Sequence, residues 1–351
     1  MKNRLISAGL VCALVLSGSA TAAGPSAARQ WDRGHALAAA RSVNLDTAVI
    51  EISNPATLAS TEATLEKLQQ LETRGDWPLP AREAALFEFT RTLAELPRAA
   101  VAPGVIEHLQ NYQSLTLVPD ADHPATLVPL FNIRAAAAGV ENGWQRWEFA
   151  GQAIDLLKTD PAGLVSAYLA ASSRNQRSGY LDTLRQADTP DVAAVQQAAL
   201  AKFKQEPELT PVVALATVMT ADVFAVRQLL SFGTGAGLSS ALRQLDQRLQ
   251  PAEKEALLEF AIEQAPAVNA SLAIAAWWPG LRHAAGLRDL LIAKLADPEL
   301  GSAAALALAR EPDLQTVRAL QQTAQGDSLA ARRAQMALAI DREQLAGGAQ
   351  Q

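Results

Sequence analysis

The composition of the chain indicates a folded, mostly helical protein and argues against several classes of partner. The chain has 351 residues, 49% of them apolar, and a formal net charge of −6 at pH 7. An apolar fraction of this size excludes an intrinsically disordered chain, and much Ala with few aromatic residues favours closely packed helices. The acidic balance and the lack of a Lys/Arg cluster exclude nucleic acid as a partner, because phosphate contacts need clustered positive charge.

The first 23 residues have the pattern of a secretory signal peptide. Basic residues at the start are followed by an apolar stretch over 5–16, and small residues then form a cleavage site. The apolar stretch is shorter than the roughly 20 residues that span a bilayer. We therefore expect cleavage after Ala22 or Ala23, a periplasmic or secreted mature protein, and no integral membrane segment in it.

The single cysteine of the chain, Cys12, lies inside this apolar stretch. Val11 precedes it where a lipoprotein signal has a small residue, so lipidation is not expected. The mature chain would be free of cysteine and would have no disulfide, thiolate nucleophile or thiolate metal ligand. Its stability would then come from packing alone.

Residues 24–160 are predicted to form an irregular α-helical N-terminal region. The β-branched segment Thr47–Ile52 is interpreted as one short strand or an extended link. Apolar residues recur every three or four positions in the segments after it, which indicates amphipathic helices. These helices are expected at about 58–72, 81–96 and 105–112.

The segment 114–124 interrupts the helical pattern. It contains two prolines and two aspartates and is predicted to be a loop, which is long for a compact helical protein and is therefore a candidate for function. A helix is expected next, from about Thr126 through Ala138 and ended by Gly139. Another helix is expected from Trp144 to Leu157.

From residue 161 to 342 the chain repeats a two-helix unit. First helices are expected to begin near residues 191, 222, 252, 286 and 313, and second helices near 211, 237, 269, 301 and 328. Both series have a period of about thirty residues, which is typical of an α-solenoid. The second helices have Ala-rich faces, which allow helix axes to approach closely. Residues 343–351 are expected to form a disordered tail.

One segment of this repeat resembles a known family. Asp297–Ala309 is similar to the Asp-x-x-Val-Arg-x-x-Ala-Ala-x-Ala-Leu helix of HEAT-like, or PBS-lyase-like, helical repeats, although the Val-Arg element is missing. Arg332 or Arg333 before Ala334 partly restores that element in the last unit. The resemblance covers about residues 191–342. It implies an all-α fold, a right-handed α-α superhelix (solenoid) of HEAT-like helix pairs, and protein binding.

Two pairs of tryptophans are the best interface candidates. Trp144 and Trp147 are three residues apart on one helix face, with Arg146 beside them. Exposed indoles there would form a stacking platform for a sugar ring or for a partner's aromatic side chain, whereas buried ones would be ordinary core. Trp277 and Trp278 diverge by about 100° on a helix, so we expect one in the core and the other exposed at a helix end.

Other candidate sites have weaker patterns. Asp120, Asp122 and His123 could ligate a divalent metal, but a metal site needs three or four convergent ligands, and we expect a solvated loop in which Asp122 caps the following helix. The segment Gly233–Gly237 lacks the spacing of a dinucleotide fingerprint and is expected to be a turn. Without a nucleophile motif, the chain is expected to have no enzymatic activity, no cofactor and no bound metal.

Together these patterns predict an exported, non-enzymatic helical-repeat scaffold or adaptor that binds another protein through a solenoid surface. The candidate binding residues are Trp144, Arg146, Trp147, Trp277, Trp278 and His123. One alternative is a carbohydrate-binding or peptidoglycan-binding protein that uses exposed Trp residues on cell-wall glycan. A second alternative is a metal-dependent hydrolase centred on residues 120–123.

Overall fold

The fold is mostly helical, as the sequence predicts. In this computed structural model the described residues are 29–310 and 312–348, with 342–348 described as backbone only. They form 19 α-helices and three short strands. The chain divides into two compact units, Met1–Glu141 and Asn142–Gln351. The predicted signal peptide, 1–23, lies outside the described residues.

The first unit combines short helices with a small sheet. Its elements are β1 (Arg29–Gln30), α1 (Arg33–Ala40), α2 (Asp46–Ile52), α3 (Pro55–Leu58), α4 (Thr61–Glu72), α5 (Leu79–Thr92), α6 (Pro103–Asn111), β2 (Thr116–Pro119), β3 (Leu127–Pro129) and the beginning of α7 (Ile133–Thr159). Strand β2 lies in the centre of the sheet, parallel to β1 and antiparallel to β3. Helix α5 is the centre of the unit's core, since it contacts α1, α2, α4 and β2.

The predicted strand or link at residues 47–52 is wrong, because this segment is helix α2. Asp46 lies in the first turn, where a negative charge interacts favourably with the helix dipole. Ala48 and Ile52 are four residues apart and both buried. Burial of one helix face therefore outweighs the β preference of Val49 and Ile50.

The region after residue 113 also differs from the prediction. The predicted loop contains strand β2, and the predicted start of a helix near Thr126 is strand β3. The helix begins at Ile133, where the Asn132 side chain accepts the Ala135 N–H at 3.0 Å. It then continues through Gly139 as the single helix α7 to Thr159, in place of the two predicted helices, because an isolated Gly weakens a helix without ending it.

The second unit consists of helices only among its described residues. After the end of α7 these are α8 (Pro161–Ala170), α9 (Arg174–Gln186), α10 (Thr189–Phe203), α11 (Thr210–Thr220), α12 (Val223–Phe232), α13 (Gly235–Leu245), α14 (Pro251–Gln264), α15 (Ala267–Leu281), α16 (Ala285–Lys294), α17 (Gly301–Leu308), α18 (Leu314–Thr323) and α19 (Leu329–Gly348). From α10 onward the helix starts predicted from the repeat are confirmed to within two residues. Helix α19 continues to Gly348, so the part of the predicted tail that is described is helical.

Two helix series alternate along this unit. We call α8, α10, α12, α14, α16 and α18 the even series, and α9, α11, α13, α15, α17 and α19 the odd series. Each helix contacts the next helix of its own series, and one hydrophobic core runs through the unit from Ala153 to Ala337. From α14 onward the odd-series helices contact one another more extensively than the even-series helices do. Ala-rich faces permit this closer approach.

Carboxylate caps explain why the sequence marks several helix starts so clearly. Asp222 accepts the Phe224 N–H at 3.1 Å, and Asp313 accepts the Thr316 N–H at 2.7 Å. The hydrogen bond from the Thr316 backbone holds the pKa of the Asp313 carboxyl below its usual value. Each cap satisfies an N–H group that has no partner inside the helix. None of the described helices is both long enough and apolar enough to cross a membrane.

Helix α9 approaches α7 closely at Gly179. A Cβ at this position would lie 2.6 Å from the Arg146 carbonyl oxygen and 2.9 Å from the Ala150 nitrogen, both backbone atoms. No rotamer change can relieve such a contact, so only glycine permits this helix spacing. A Cβ at Gly151 of α7 would meet nothing within 4 Å.

We predict opposite effects for alanine at these two glycines. Gly179→Ala should lower the free energy of unfolding by about 1–3 kcal/mol, because the helices must separate. Gly151→Ala should raise it by up to about 1 kcal/mol, because alanine favours the helix and meets no obstacle. Urea unfolding followed by circular dichroism measures both effects. Equal effects of the two substitutions would contradict the close approach at Gly179.

Candidate binding grooves

Four grooves of the second unit lie on its two helix series, two on each. On the odd series, a groove of about 190 Å³ lies between α9, α11 and α13, and we call it the α11 groove. A groove of about 400 Å³ lies between α15, α17 and α19, and we call it the α17 groove. On the even series, grooves of about 460 and 270 Å³ lie between α10 and α12 and between α14 and α16.

Small side chains create the α17 groove. Ala275, Ala303 and Ala307 line it, where longer side chains would fill the space between the helices. The indole of Trp278 also lines it and is fixed by a 2.9 Å hydrogen bond from its Nε1 to the Ala307 carbonyl oxygen. Leu306 lies at the groove with 57% of its surface exposed. An exposed large apolar side chain beside small ones is a typical site for docking a partner.

The charges of the grooves differ between the two series. Among the described side chains, Arg310 in the α17 groove and Arg185 in the α11 groove are the only charged residues that line the odd-series grooves. The groove between α14 and α16 is lined by three carboxylates of one helix face, Glu255, Glu259 and Glu263. Asp222 lines the groove between α10 and α12. Of these four grooves, only the two of the even series are therefore lined by described carboxylates.

Arg146, one of the predicted binding residues, forms an ion pair within the second unit. Asp182 of α9 accepts hydrogen bonds from both Arg146 of α7 and Arg185. The Arg146 hydrogen bond is the main cause of the lowered pKa of the Asp182 carboxyl. The guanidinium of Arg146 thus joins α7 to α9 rather than extending freely toward a ligand. One carboxylate is shared by two guanidinium groups.

Trp144 and Trp147 of α7 do not form a two-ring platform, and each ring follows a different one of the two alternatives. Trp144 is 4% exposed and belongs to the core, whereas Trp147 is 52% exposed. Residues three apart on a helix differ by about 60° in direction, so two such residues at the edge of a buried face can have different exposures. Only the ring of Trp147 remains available on this helix.

Trp277 and Trp278 are both buried, so the prediction that one of them is exposed is wrong. Trp277 donates from Nε1 to the Leu242 carbonyl oxygen of α13 at 2.9 Å, and Trp278 donates to α17 on the other side. Helix α15 has a neighbour of the odd series on each side. The divergence of adjacent helical residues therefore directs the two indoles into two different interfaces.

His123 lies in an exposed turn between β2 and β3. Asp120 Oδ1 accepts the backbone N–H groups of Asp122 and His123, each at 2.9 Å, so Asp120 stabilises the turn and Asp122 is not a helix cap. No group of three or more potential metal ligands occurs among the described residues. Of the turn predicted at Gly233–Gly237, only Gly233 and Thr234 lie between α12 and α13, because α13 already begins at Gly235.

Glu83 is a buried, hydrogen-bonded carboxylate that the sequence patterns above did not indicate. Its carboxylate is fully buried in the first unit and accepts the backbone N–H groups of Leu115 and Thr116 and the hydroxyl of Tyr112. Burial, followed by the charge of Glu83, raises the pKa of the Tyr112 hydroxyl. Glu83 thereby holds the start of strand β2. A carboxylate at a position within the apolar stripe of α5 is the one signal that could have indicated it.

Comparisons of the chain with protein-family models, with curated proteins and with solved structures find no match.

A half-buried ion pair makes part of the first unit sensitive to pH. His108 Nε2 lies 2.8 Å from Glu72 Oε1. The hydrogen bond to Glu72 raises the pKa of His108 above its ordinary 6.5. A raised pKa in the folded state means that protonated His108 stabilises the fold below pH 6.5 and that this contribution is lost as pH rises through the raised value.

We predict that His108→Gln destabilises the protein more at about pH 5.5 than at about pH 8.5, because only the protonated ring forms the ion pair. Urea unfolding at the two pH values measures the difference between variant and parent. Glu72→Gln should remove the same pH-dependent component, since it removes the other partner. Equal destabilisation at both pH values would contradict the assignment.

Proposed function

We propose that the protein is an exported, non-enzymatic scaffold or adaptor. Its second unit is a right-handed solenoid of HEAT-like helix pairs and binds a partner protein on the surface of the odd series. The observation on which the proposal depends is that the two least acidic grooves lie on the same helix series, each beside a single arginine. In a curved stack of helix pairs, the more closely packed series forms the concave side, because the inner arc is shorter, and from α14 onward the more closely packed series is the odd one.

The other two functions have less support. The carbohydrate-binding alternative retains one stacking surface, Trp147, since Trp144 is buried. A single indole gives a sugar polymer one contact, so we do not propose it. For the hydrolase, Asp120 is occupied with the backbone of its own turn. We do not propose that function either.

We predict that filling the odd-series grooves abolishes capture of the partner from a periplasmic extract. Ala275→Trp fills the α17 groove and Ser240→Trp fills the α11 groove, where a bulky ring excludes another chain. Ala193→Trp places the same ring in the groove between α10 and α12 on the even series and serves as the matched control. The measurement is quantitative mass spectrometry of proteins retained on the immobilised chain.

Retention of every captured protein by the Ala275→Trp and Ser240→Trp variants would contradict the proposal. Loss of capture by the Ala193→Trp variant alone would place the binding surface on the even series and would equally contradict the proposal. Circular dichroism of each variant establishes that a loss of binding is not a loss of the fold.

A further inference from the structure

We infer that the partner docks through an acidic peptide segment that runs across the odd series and contacts both the α11 groove and the α17 groove. The inference rests on the proposed function and specifies the chemistry of its partner. Three observations support this inference. Two concern charge, namely the absence of carboxylates from four helices and the arginine at each groove, and the third is the distance between the grooves.

Four consecutive odd-series helices, α11, α13, α15 and α17, contain no Asp or Glu at all. In the even series, α8, α12 and α18 also lack Asp and Glu, whereas α10, α14 and α16 contain them. The single helix α14 of the even series contains four glutamates. The four odd-series helices without carboxylates therefore repel an anionic partner less than the surface around α14 does.

Each odd-series groove also presents positive charge. Arg310 is exposed at the α17 groove, and the structure records no hydrogen bond or ion pair of its guanidinium with another described residue. Arg185 shares the carboxylate of Asp182 with Arg146, which leaves one surplus positive charge beside the α11 groove. An arginine bordering an apolar groove suits a carboxylate next to an apolar side chain, since its planar donors pair with carboxylates.

The separation of the grooves favours a polypeptide over a small molecule. The α11 groove is centred on α11 and the α17 groove on α17, three odd-series helices further along. With neighbouring helix axes 8–10 Å apart, the grooves are about 25–30 Å apart. An extended chain rises about 3.3 Å per residue, so a segment of about nine residues or more reaches both. We therefore expect apolar residues near both ends of the segment and carboxylates beside them.

Selection from a display library of random 12-residue peptides on the immobilised protein tests the chemistry. We expect the enriched peptides to be acidic, with apolar residues near both ends. Fluorescence anisotropy with a labelled enriched peptide then tests the site. Arg310→Glu should weaken binding about tenfold or more, because repulsion replaces a charge-assisted contact. Arg310→Lys should retain most of the affinity, and high salt should weaken binding to the parent protein.

Arg318→Glu is the matched control. It makes the same charge change at an exposed residue of α18, in the even series, and should leave binding unchanged. Enrichment of basic or neutral peptides would overturn the inference, and so would equal effects of Arg310→Glu and Arg318→Glu. Binding of dodecanoate in the α17 groove without any binding of acidic peptides would overturn it in favour of a small apolar carboxylate.

The inference and the proposed function fail in different ways. If groove-filling variants lose a captured protein but the selected peptides are not acidic, the scaffold remains and the inference fails. If no protein is captured from the extract and acidic peptides still bind at Arg310, the peptide-binding site remains and the proposed scaffold function fails. Ser240→Trp should also weaken binding of the 12-residue peptide. Binding of a truncated peptide that keeps only the half seated in the α17 groove should be unchanged by this substitution.

Discussion

Close approach between odd-series helices is the constraint on which the second unit depends. Alanine allows the helices to approach, but a seam of alanines alone would permit them to slide or rotate. Buried polar groups remove that freedom. Asn269 of α15 donates to the carbonyl oxygens of Leu230 and Gly233, and the two adjacent indoles of the same helix donate to α13 and α17. These bonds specify one rotation of α15 in a seam that apolar contacts would leave poorly defined.

The repeat in the second unit was predictable because its signals are local. Aspartate at a helix start, glycine or proline at a break, and alanine on the second helix act within a few residues of chain. Each helix needs only its nearest neighbours to complete its core, so a local pattern is enough to place it. Asp222 and Asp313 are examples, because each lies at a predicted helix start and its carboxylate caps the helix that follows.

The first unit and the candidate site were less predictable, because they depend on contacts between distant parts of the chain. Strand β2 forms where a buried carboxylate more than thirty residues earlier, Glu83, accepts its backbone N–H groups. The exposure of Trp278 depends on whether α17 lies beside α15, which no pattern inside α15 can indicate. The grooves likewise depend on contacts between helices that are distant in the sequence. The absence of carboxylates from α11, α13, α15 and α17 is visible in the sequence, but only the structure shows that these four helices belong to one series.

The hydrogen bond between Trp278 and Ala307 has a consequence for the thermodynamics of binding. Alanine has no rotamers to lose, and the indole that borders the α17 groove is already fixed by its bond to the neighbouring helix. A ligand that enters this groove therefore restricts few side chains beyond those of Leu306 and Arg310. Most of the conformational entropy that binding would otherwise remove was lost when the chain folded, and the groove is preorganised for its occupant.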